Sequence, residues 1–331
     1  MQEGGSRPVA LRWRLVEEEE RCGQGELFPE RGVLDRHVGT GEYRGLEFLH
    51  VRAKRVINRV PASSRMPFRW TINPYRGCSH ACTYCFARPS HEWLGLGMGE
   101  DFERRIVVKV NAVERTRAEL ASRRWAGEPI AMGTNTDPYQ RAEGKYRLTR
   151  GIVEALAEAA NPFSILTKST LILGDLERLA EASRRTAVRV NLSIGTLDEG
   201  VWRETEPGTP HPCQRLAAVR RINEAGIPCG VLLAPVIPGL SDRPEQLEEV
   251  VTGCVEAGAV SISPILLHLR PGVREHYLAW LAGAHPELLA AYQAAYGGRA
   301  YLPSRDQAAL TGLVGRLERS ARRRAWPSGG P

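Results

Sequence analysis

Short apolar runs alternate with amphipathic segments of helical period along most of this 331-residue chain. Six runs have the length and composition of buried strands, and they lie at residues 67–73, 129–137, 162–169, 187–196, 228–238 and 259–269. A segment of helical period follows each run, at residues 111–125, 149–160, 174–184, 213–225, 244–257 and 274–296. Strands that alternate with helices form parallel sheets, because each crossover helix returns the chain to the same end of the sheet. We therefore expect an α/β fold with six βα units, first as an open or partial barrel and alternatively as a flat doubly wound sheet.

This pattern divides the chain into three parts. Residues 67–270 form the expected barrel, residues 1–66 form an N-terminal extension, and residues 271–331 form a helical, basic C-terminal extension. In barrels the reactive groups lie at the carboxyl ends of the strands and in the loops that follow them. We therefore expect functional residues at five places: after residue 73, at residues 134–137, at residue 168, at residues 193–198 and after residue 237.

Local signals predict several helix ends and one core position. Asp242 and Glu245 have the spacing of an N-terminal capping box. Gly226 and Gly258 follow helical segments in the manner of C-terminal caps. Cys254 falls on the apolar stripe of its helical segment, so we expect this cysteine in the core.

Composition narrows the class of protein and its compartment. With 42% hydrophobic and 25% charged residues, the chain is not disordered, collagen-like or a coiled coil as a whole. The N-terminus lacks the apolar region of a signal peptide. The longest uncharged stretch, residues 225–241, is short for a membrane span and contains three prolines. We therefore expect a cytoplasmic protein without membrane association.

Cysteine usage favours a metal site over a disulfide framework. The chain has seven cysteines, an odd number, and three of them lie within eight residues. Cys78, Cys82 and Cys85 form the pattern C-x3-C-x2-C in the loop expected after the first strand. Three thiolates on one tight loop can bind three irons of a compact [4Fe–4S] cubane and leave the fourth iron without a protein thiolate. A structural zinc site would need a fourth ligand, such as His80, His91 or a distant cysteine, and a four-cysteine iron–sulfur electron carrier is a further alternative.

The spacing Cys78-x3-Cys82-x-Tyr84-Cys85 resembles the C-x3-C-x-aromatic-C motif of radical S-adenosylmethionine (SAM) enzymes. Flanking words are similar to those of its spore-photoproduct-lyase-like group, namely NPYRGC (73–78), YCFARPSH (84–91), GTNTDPYQ (133–140), LTKS (166–169) and PVIPGLSD (235–242). The resemblance covers roughly residues 67–270 and implies the partial (β/α)6 barrel of that superfamily. It also implies an enzyme whose [4Fe–4S] cluster cleaves SAM to a 5′-deoxyadenosyl radical, with the substrate unassigned.

The resemblance implies roles for individual residues as well. The three cysteines would bind the cluster, and Tyr84 matches the aromatic position near the adenine of SAM. The Gly-Gly-Glu motif of the superfamily, which binds the methionine ammonium group, is absent, and Asp137 is the carboxylate nearest to its place. Lys168 at the third strand end would meet the carboxylate of SAM, and Ser193 matches a position that contacts the ribose. An electron donor such as flavodoxin or ferredoxin is the implied redox partner.

We make separate predictions for five further residues. Cys213 follows the long loop after the fourth strand, and its thiol is our candidate for donating a hydrogen atom to a product radical. Cys229, near the start of the fifth strand, is expected in the core. Glu206 and Arg215 resemble a pair seen in the same group, and we expect an ion pair that anchors the loop, with substrate or SAM contact as the alternative. His80 is expected to shape the cysteine loop by hydrogen bonding.

The net charge of +7 is concentrated in two stretches. Residues 313–331 carry five arginines and one glutamate, and residues 51–70 carry six basic residues and no acidic one, namely Arg52, Lys54, Arg55, Arg59, Arg65 and Arg69. Such a basic patch just before the cysteine loop suggests an anionic partner. A nucleic-acid substrate is therefore one hypothesis, and a peptide, protein or small molecule is the second. A non-catalytic iron–sulfur or zinc protein is the third, and it would have no need for the SAM-binding strand ends around Asp137 and Lys168.

Overall fold

The computed structural model describes residues 32–64 and 66–325, which form two sheets and eleven α-helices. The strands are β1 (Asp35–Val38), β2 (Glu47–Val51), β3 (Ile57–Arg59), β4 (Trp70–Ile72), β5 (Tyr75–Arg76), β6 (Arg105–Lys109), β7 (Ile130–Met132), β8 (Phe163–Thr167), β9 (Val188–Ser193), β10 (Cys229–Val236) and β11 (Ile262–Leu266). The helices are α1 (Glu100–Arg104), α2 (Ala112–Leu120), α3 (Arg141–Tyr146), α4 (Leu148–Glu158), α5 (Leu176–Arg185), α6 (Glu199–Thr205), α7 (Pro212–Glu224), α8 (Pro244–Glu256), α9 (Val273–Ala284), α10 (Pro286–Tyr296) and α11 (Ser304–Ala325).

The larger sheet contains all six predicted strands. Its order is β11-β10-β9-β8-β7-β4-β3, and every pair from β4 to β11 is parallel. The edge strand β3 is antiparallel to β4. Because β3 and β11 stand at opposite edges of this order, the sheet does not close. The prediction of an α/β fold with a partial six-unit barrel is confirmed.

The smaller sheet lies outside the predicted barrel. Its order is β1-β2-β6-β5, with β2 and β6 parallel and the two outer pairs antiparallel. Strand β5 follows directly on β4 and leads into the cysteine loop. This sheet therefore connects the N-terminal extension to the loop that carries the predicted metal ligands.

The main core lies between the larger sheet and the helices that cover it. Ile165, Val190 and Leu192 in the central strands have no exposed surface, and Ile152 of α4 and Val251 of α8 belong to the same buried cluster. Each such side chain stabilises the fold by about 1.5–3 kcal/mol relative to exposure. Alternation of strand and helix thus produces the buried layer that the sequence pattern requires.

The C-terminal helices differ from the prediction. The segment expected as one helix is two helices, because Pro286 lacks a backbone N–H and disfavours helical geometry at His285. Helix α11, expected as part of an extension, packs on α8 and β11 as the last helix of the barrel layer. Helices α9 and α10 instead pack in a second apolar cluster beside the cysteine loop.

The helix-end predictions were partly correct. Gly226 and Gly258 follow α7 and α8 with φ near +77°, as C-terminal cap glycines do. The predicted capping box was wrong, because α8 begins one residue later. Arg243 is its N-cap residue, and the side chain of Asp242 accepts a hydrogen bond from the backbone N–H of Gly239.

No helix within the described residues is both long and apolar enough to cross a membrane.

Candidate active site

The cysteine loop begins directly after β4 and β5, at the carboxyl end of the barrel. The backbone N–H of Cys78 donates to the carbonyl of Phe102 (2.8 Å), which fixes the start of the loop against α1. Gly77 precedes it with φ of +76°, and a Cβ at this position would come within 3 Å of the His91 ring and of the Phe102 carbonyl. Cys78 and Cys82 are buried and Cys85 is partly exposed. The three predicted ligands thus lie at the strand end where reactive groups were expected.

Two buried side chains hold the backbone of this loop. Arg88, only 1% exposed, donates to the carbonyl of Cys82 from Nε (3.1 Å) and Nη2 (2.8 Å). Gln140 accepts from the N–H of Ser79 (3.1 Å) and donates to the carbonyl of Gly77 (2.9 Å). Both residues belong to the sequence words that flank the cysteines, but their structural function was not predicted. They fix the positions of the cysteines before any metal binds.

The environment of the three thiols fits a metal cluster. Burial raises the pKa of each thiol, to about 12 for Cys82, and the charges of Asp137, Cys85 and Cys82 raise that of Cys78 further. Thiols held so far from ionisation in the free chain release their protons when a metal binds. Three buried or partly buried thiols on one loop are the donors that an iron–sulfur cluster takes from a protein.

The buried carboxylate of Glu206 accepts hydrogen bonds from three of the predicted side chains. It is 4% exposed, and its Oε1 accepts from the Tyr84 hydroxyl and from Lys168 Nζ (2.9 Å). Its Oε2 accepts from Arg215 Nη2 (2.5 Å). Ser193 joins the network twice, since its hydroxyl accepts from Lys168 Nζ (2.7 Å) and its carbonyl from Arg215 Nη1 (2.9 Å). The ion pair expected between Glu206 and Arg215 is present, and it also organises Tyr84, Lys168 and Ser193.

The charge states of this network follow from its burial and its cations. Burial by itself would raise the pKa of Glu206, but Arg215 and Lys168 lower it well below the usual range. Burial and the Glu206 carboxylate raise the pKa of Tyr84 well above its ordinary value. Glu206 is therefore ionised and Tyr84 is a neutral hydrogen-bond donor at physiological pH.

Asp137 joins two strand ends to the cysteine loop. Its Oδ1 accepts from the Thr167 hydroxyl (2.6 Å) and from the N–H of Tyr139 (2.9 Å). Its Oδ2 accepts from the N–H of Lys168 (2.7 Å) and lies 3.4 Å from His80 Nδ1. His80 is buried inside the loop, and Asp137 is its charged neighbour. Asp137 thus fixes the geometry between β7, β8 and the cysteine loop.

The segment after α6 packs directly on the cysteine loop, which the sequence did not indicate. The N–H of Gly208 donates to the carbonyl of His80 (3.1 Å), and the N–H of Thr83 donates to the carbonyl of Thr205 (3.0 Å). A Cβ at Gly208 would overlap the backbone of Ser79 and His80. The only available signal was a glycine within the Glu-Pro-Gly-Thr-Pro sequence that follows α6.

The other described cysteines lie apart from this network. Cys213 is exposed at the start of α7, where its N–H donates to His211 Nδ1 (3.2 Å). Cys229 and Cys254 are fully buried in the main core, as predicted. Cys22 falls outside the described residues.

Helices α9 and α10 cover one side of the cysteine loop. Tyr277, Tyr292 and Tyr296 are buried in one apolar cluster with Cys82 and Tyr84. The sequence assigned these helices to a peripheral extension. Their actual position gives the loop an apolar wall.

The basic stretch of residues 51–70 reaches both ends of the barrel. Its described basic side chains, Arg52, Lys54, Arg55, Arg59 and Arg69, are exposed, and Arg65 lies outside the described residues. Antiparallel pairing of β3 with β4 places Arg59 opposite Trp70, at the end of β4 away from the cysteine loop. The stretch is therefore not one patch beside the cysteines.

Comparison with known proteins places the chain in a family. The model of the radical SAM superfamily matches residues 72–251, more than half of the chain. An uncharacterized protein of Mycobacterium tuberculosis is 46% identical over 274 residues, which cover 83% of this chain and 81% of that protein. An uncharacterized protein of Methanocaldococcus jannaschii is 30% identical over 199 residues, which cover 60% and 70%. The chain belongs to the radical SAM superfamily and is a radical SAM enzyme.

Solved structures of spore photoproduct lyase share the fold. The enzyme complexed with dinucleoside spore photoproduct matches with a TM-score of 0.59 and 17% identity, over 82% of this chain and 79% of that one. A variant with bound AdoMet and dinucleoside spore photoproduct matches with a TM-score of 0.50 and 19% identity, over 72% and 66%. At these identities the similarity concerns the fold alone. The alternative of a non-catalytic iron–sulfur or zinc protein is set aside by the family assignment.

Proposed function

We propose that Cys78, Cys82 and Cys85 hold a [4Fe–4S] cluster with which this enzyme cleaves SAM. The main support for this proposal is that the cysteine loop contacts the hydrogen-bond network around Glu206 at the carboxyl end of the barrel. When bound, the cluster supplies one electron to the SAM sulfonium, which yields methionine and a 5′-deoxyadenosyl radical that abstracts hydrogen from a substrate. A flavodoxin or ferredoxin would supply that electron.

Lys168 is the proposed partner of the SAM carboxylate. Its ammonium group has three hydrogens and three acceptors, namely Glu206, the Ser193 hydroxyl and the carbonyl of Ala234. The contact with Ala234 is the longest, at 3.4 Å, so this is the hydrogen bond that a ligand carboxylate would replace. The ion pair with Glu206 directs the lysine toward the strand ends.

Tyr84, Ser193 and Asp137 are the other proposed contacts with SAM, and each would bind it in a different way. The Tyr84 ring lies 5.7 Å from Lys168 Nζ and is fixed by Glu206, so an adenine placed beside it would meet a rigid aromatic surface. The Ser193 hydroxyl already donates to the Ala234 carbonyl (2.8 Å), and a ribose hydroxyl would compete for that donor. Asp137 would have to give up its contact with His80 to accept from the methionine ammonium group.

Anaerobic reconstitution with iron and sulfide, followed by SAM and dithionite, tests this proposal. We expect about four irons per chain, formation of 5′-deoxyadenosine and a change in the electron paramagnetic resonance spectrum of the reduced cluster on adding SAM. The triple variant Cys78→Ala, Cys82→Ala, Cys85→Ala should lose all three signals. Cys229→Ala is the matched control, since that thiol is buried in the core. Stoichiometric zinc without iron uptake would refute the proposal.

For the substrate we infer a nucleic acid, supported by an aromatic surface beside the cluster ligands. Phe86 directly follows Cys85, is 37% exposed and has its ring centroid 5.9 Å from that of His268. His268 stacks on Tyr301, which is 55% exposed and accepts a hydrogen bond from Arg270 (3.1 Å). Exposed rings next to an arginine are typical of surfaces that stack unpaired bases. Spore photoproduct lyase, which has the same fold, binds a dinucleoside.

Binding to single-stranded DNA and RNA at several salt concentrations tests the substrate class. Tyr301→Ala and Arg270→Gln should each weaken binding, by ~1–3 kcal/mol for the stacked ring. The variant with Arg52, Lys54, Arg55 and Arg59 all changed to Gln reports on the basic stretch, and a smaller salt dependence would show that it contacts phosphates. If no variant and no salt concentration changes binding, peptides and small molecules become the candidates.

A further inference from the structure

Three potential metal ligands meet on the smaller sheet, away from the cysteine loop. Asp35 and His37 are alternate residues of β1, so their side chains project from the same face. The antiparallel register places Asp35 directly opposite His50 of β2. The rings of His37 and His50 have centroids 4.4 Å apart. One ligand atom from each of the three residues lies within 4.8 Å of the others.

The donor set has the chemistry of a transition-metal site. Two imidazole nitrogens and one carboxylate oxygen suit zinc and its first-row neighbours better than magnesium or calcium, which prefer oxygen ligands alone. His37 Nε2 and Asp35 Oδ2 are 2.8 Å apart, a directly paired separation that needs to widen by only about 0.5 Å for both atoms to bind one tetrahedral zinc ion. Exposure of His37 and Asp35 would leave room for water in the remaining positions.

A neighbouring side chain orients one of the imidazoles. His50 Nε2 lies 2.7 Å from the hydroxyl of Tyr146, whose ring also packs against the His50 ring edge at 5.2 Å. A hydrogen bond on one ring nitrogen directs the other toward a metal, which is the usual arrangement around histidine ligands. Tyr146 belongs to α3, so this contact also ties the smaller sheet to the barrel.

We propose that Asp35, His37 and His50 bind one divalent transition-metal ion, such as zinc, independently of the iron–sulfur cluster. The ion links the edge strand β1 to β2, whose other neighbour β6 pairs with the strand leading into the cysteine loop. Its function would be to fasten the N-terminal segment to the sheet.

Zinc titration of the cluster-loaded protein, in which the loop cysteines are occupied, tests the proposal. Isothermal calorimetry should show one zinc ion bound per chain, and His37→Gln and His50→Gln should each weaken binding by about tenfold or more. Tyr146→Phe should weaken it less. His285→Gln is the matched control, because His285 also pairs with two carboxylates, but Glu204 contacts its Nε2 and Glu287 its Nδ1, so the three residues do not converge on one point.

Two readouts separate a site from a simple ion pair. Zinc should raise the thermal unfolding temperature of the wild type and protect β1 amides from hydrogen exchange, with neither effect in the His37→Gln, His50→Gln double variant. Equal unfolding temperatures of the two proteins without zinc would show that the double variant is folded. Absence of saturable zinc binding, or binding unchanged in both single variants, would overturn the proposal.

Discussion

Arg215 Nη2 lies 2.5 Å from Glu206 Oε2, and both side chains are almost completely buried. The carboxylate also accepts from Lys168 and Tyr84, so one carboxylate is the shared partner of two basic side chains inside the barrel mouth. Removing one member of such a buried group leaves an uncompensated charge in a medium that solvates it poorly. The pair is therefore a condition for the arrangement of the other predicted SAM-binding residues.

Glu206→Gln should destabilise the protein by ~3 kcal/mol, because Lys168 and Arg215 would then lack a carboxylate partner. Urea unfolding monitored by circular dichroism gives the change. Glu204→Gln is the control, since Glu204 is exposed and pairs only at the surface with His285, and it should cost at most ~1 kcal/mol. Equal effects of the two substitutions would contradict the assigned role of Glu206.

The same carboxylate predicts a pH dependence of stability. Its pKa is lower in the folded protein than the ordinary value of 4.5. The ionised Glu206 carboxylate therefore stabilises the fold fully above pH 4.5. This stabilisation is lost as the pH falls from 4.5 toward the lower pKa of the folded protein. Between about pH 6 and pH 3.5, the free energy of unfolding of the cluster-free chain should fall more steeply in the wild type than in Glu206→Gln. Parallel profiles would show that Glu206 is not held in ionised form.

Lys168→Ala should weaken SAM binding by about tenfold or more, because a hydrogen bond between charged groups contributes ~1.5–3 kcal/mol. Iron content should stay near that of the wild type, since no cysteine is changed. Equilibrium dialysis with labelled SAM and iron analysis measure the two quantities. Lys145→Ala, at an exposed position of α3, is the control. Loss of iron together with SAM would indicate that Lys168 supports the loop and not the ligand.

Gly208→Ala should lower the iron content, because the added methyl group would press on the backbone of Ser79 and His80, between two of the proposed cluster ligands. We expect a destabilisation of ~1–3 kcal/mol as well, the usual effect of overpacking. Gly283→Ala in α9 is the matched control, as no atom lies within 4 Å of its added Cβ. Full iron retention in Gly208→Ala would show that the loop adapts to the segment after α6.

Cys213→Ala tests the predicted hydrogen-atom donor. Its thiol is exposed, so its proton exchanges with solvent. In deuterated water, the wild type should incorporate deuterium from this thiol into the product, and Cys213→Ala should not, while substrate-free formation of 5′-deoxyadenosine stays unchanged. Incorporation at the wild-type level in the variant would assign the donor to another group.

Much of the barrel could be predicted because each βα unit carries its own local signal. The apolar run that contains β8 and the stripe that contains Cys254 report burial directly, since side chains in strands and helices repeat every two and every 3.6 residues. Local signals were less reliable where a single residue sets the end of a helix. Pro286 divided an expected helix, and Arg243 replaced Asp242 as the cap of α8.

The sequence alone determined the cysteine motif, the six strands and the strand ends at which Asp137, Lys168 and Ser193 lie, because these depend on spacing within short segments. Tertiary structure decided which distant segments meet. Tyr84 and Glu206 are 122 residues apart, Asp35 and His50 pair only through the strand register, and α9 and α10 cover the cysteine loop instead of the sheet. Such contacts depend on the total apolar surface buried and on charges that need partners, and no local periodicity records either quantity.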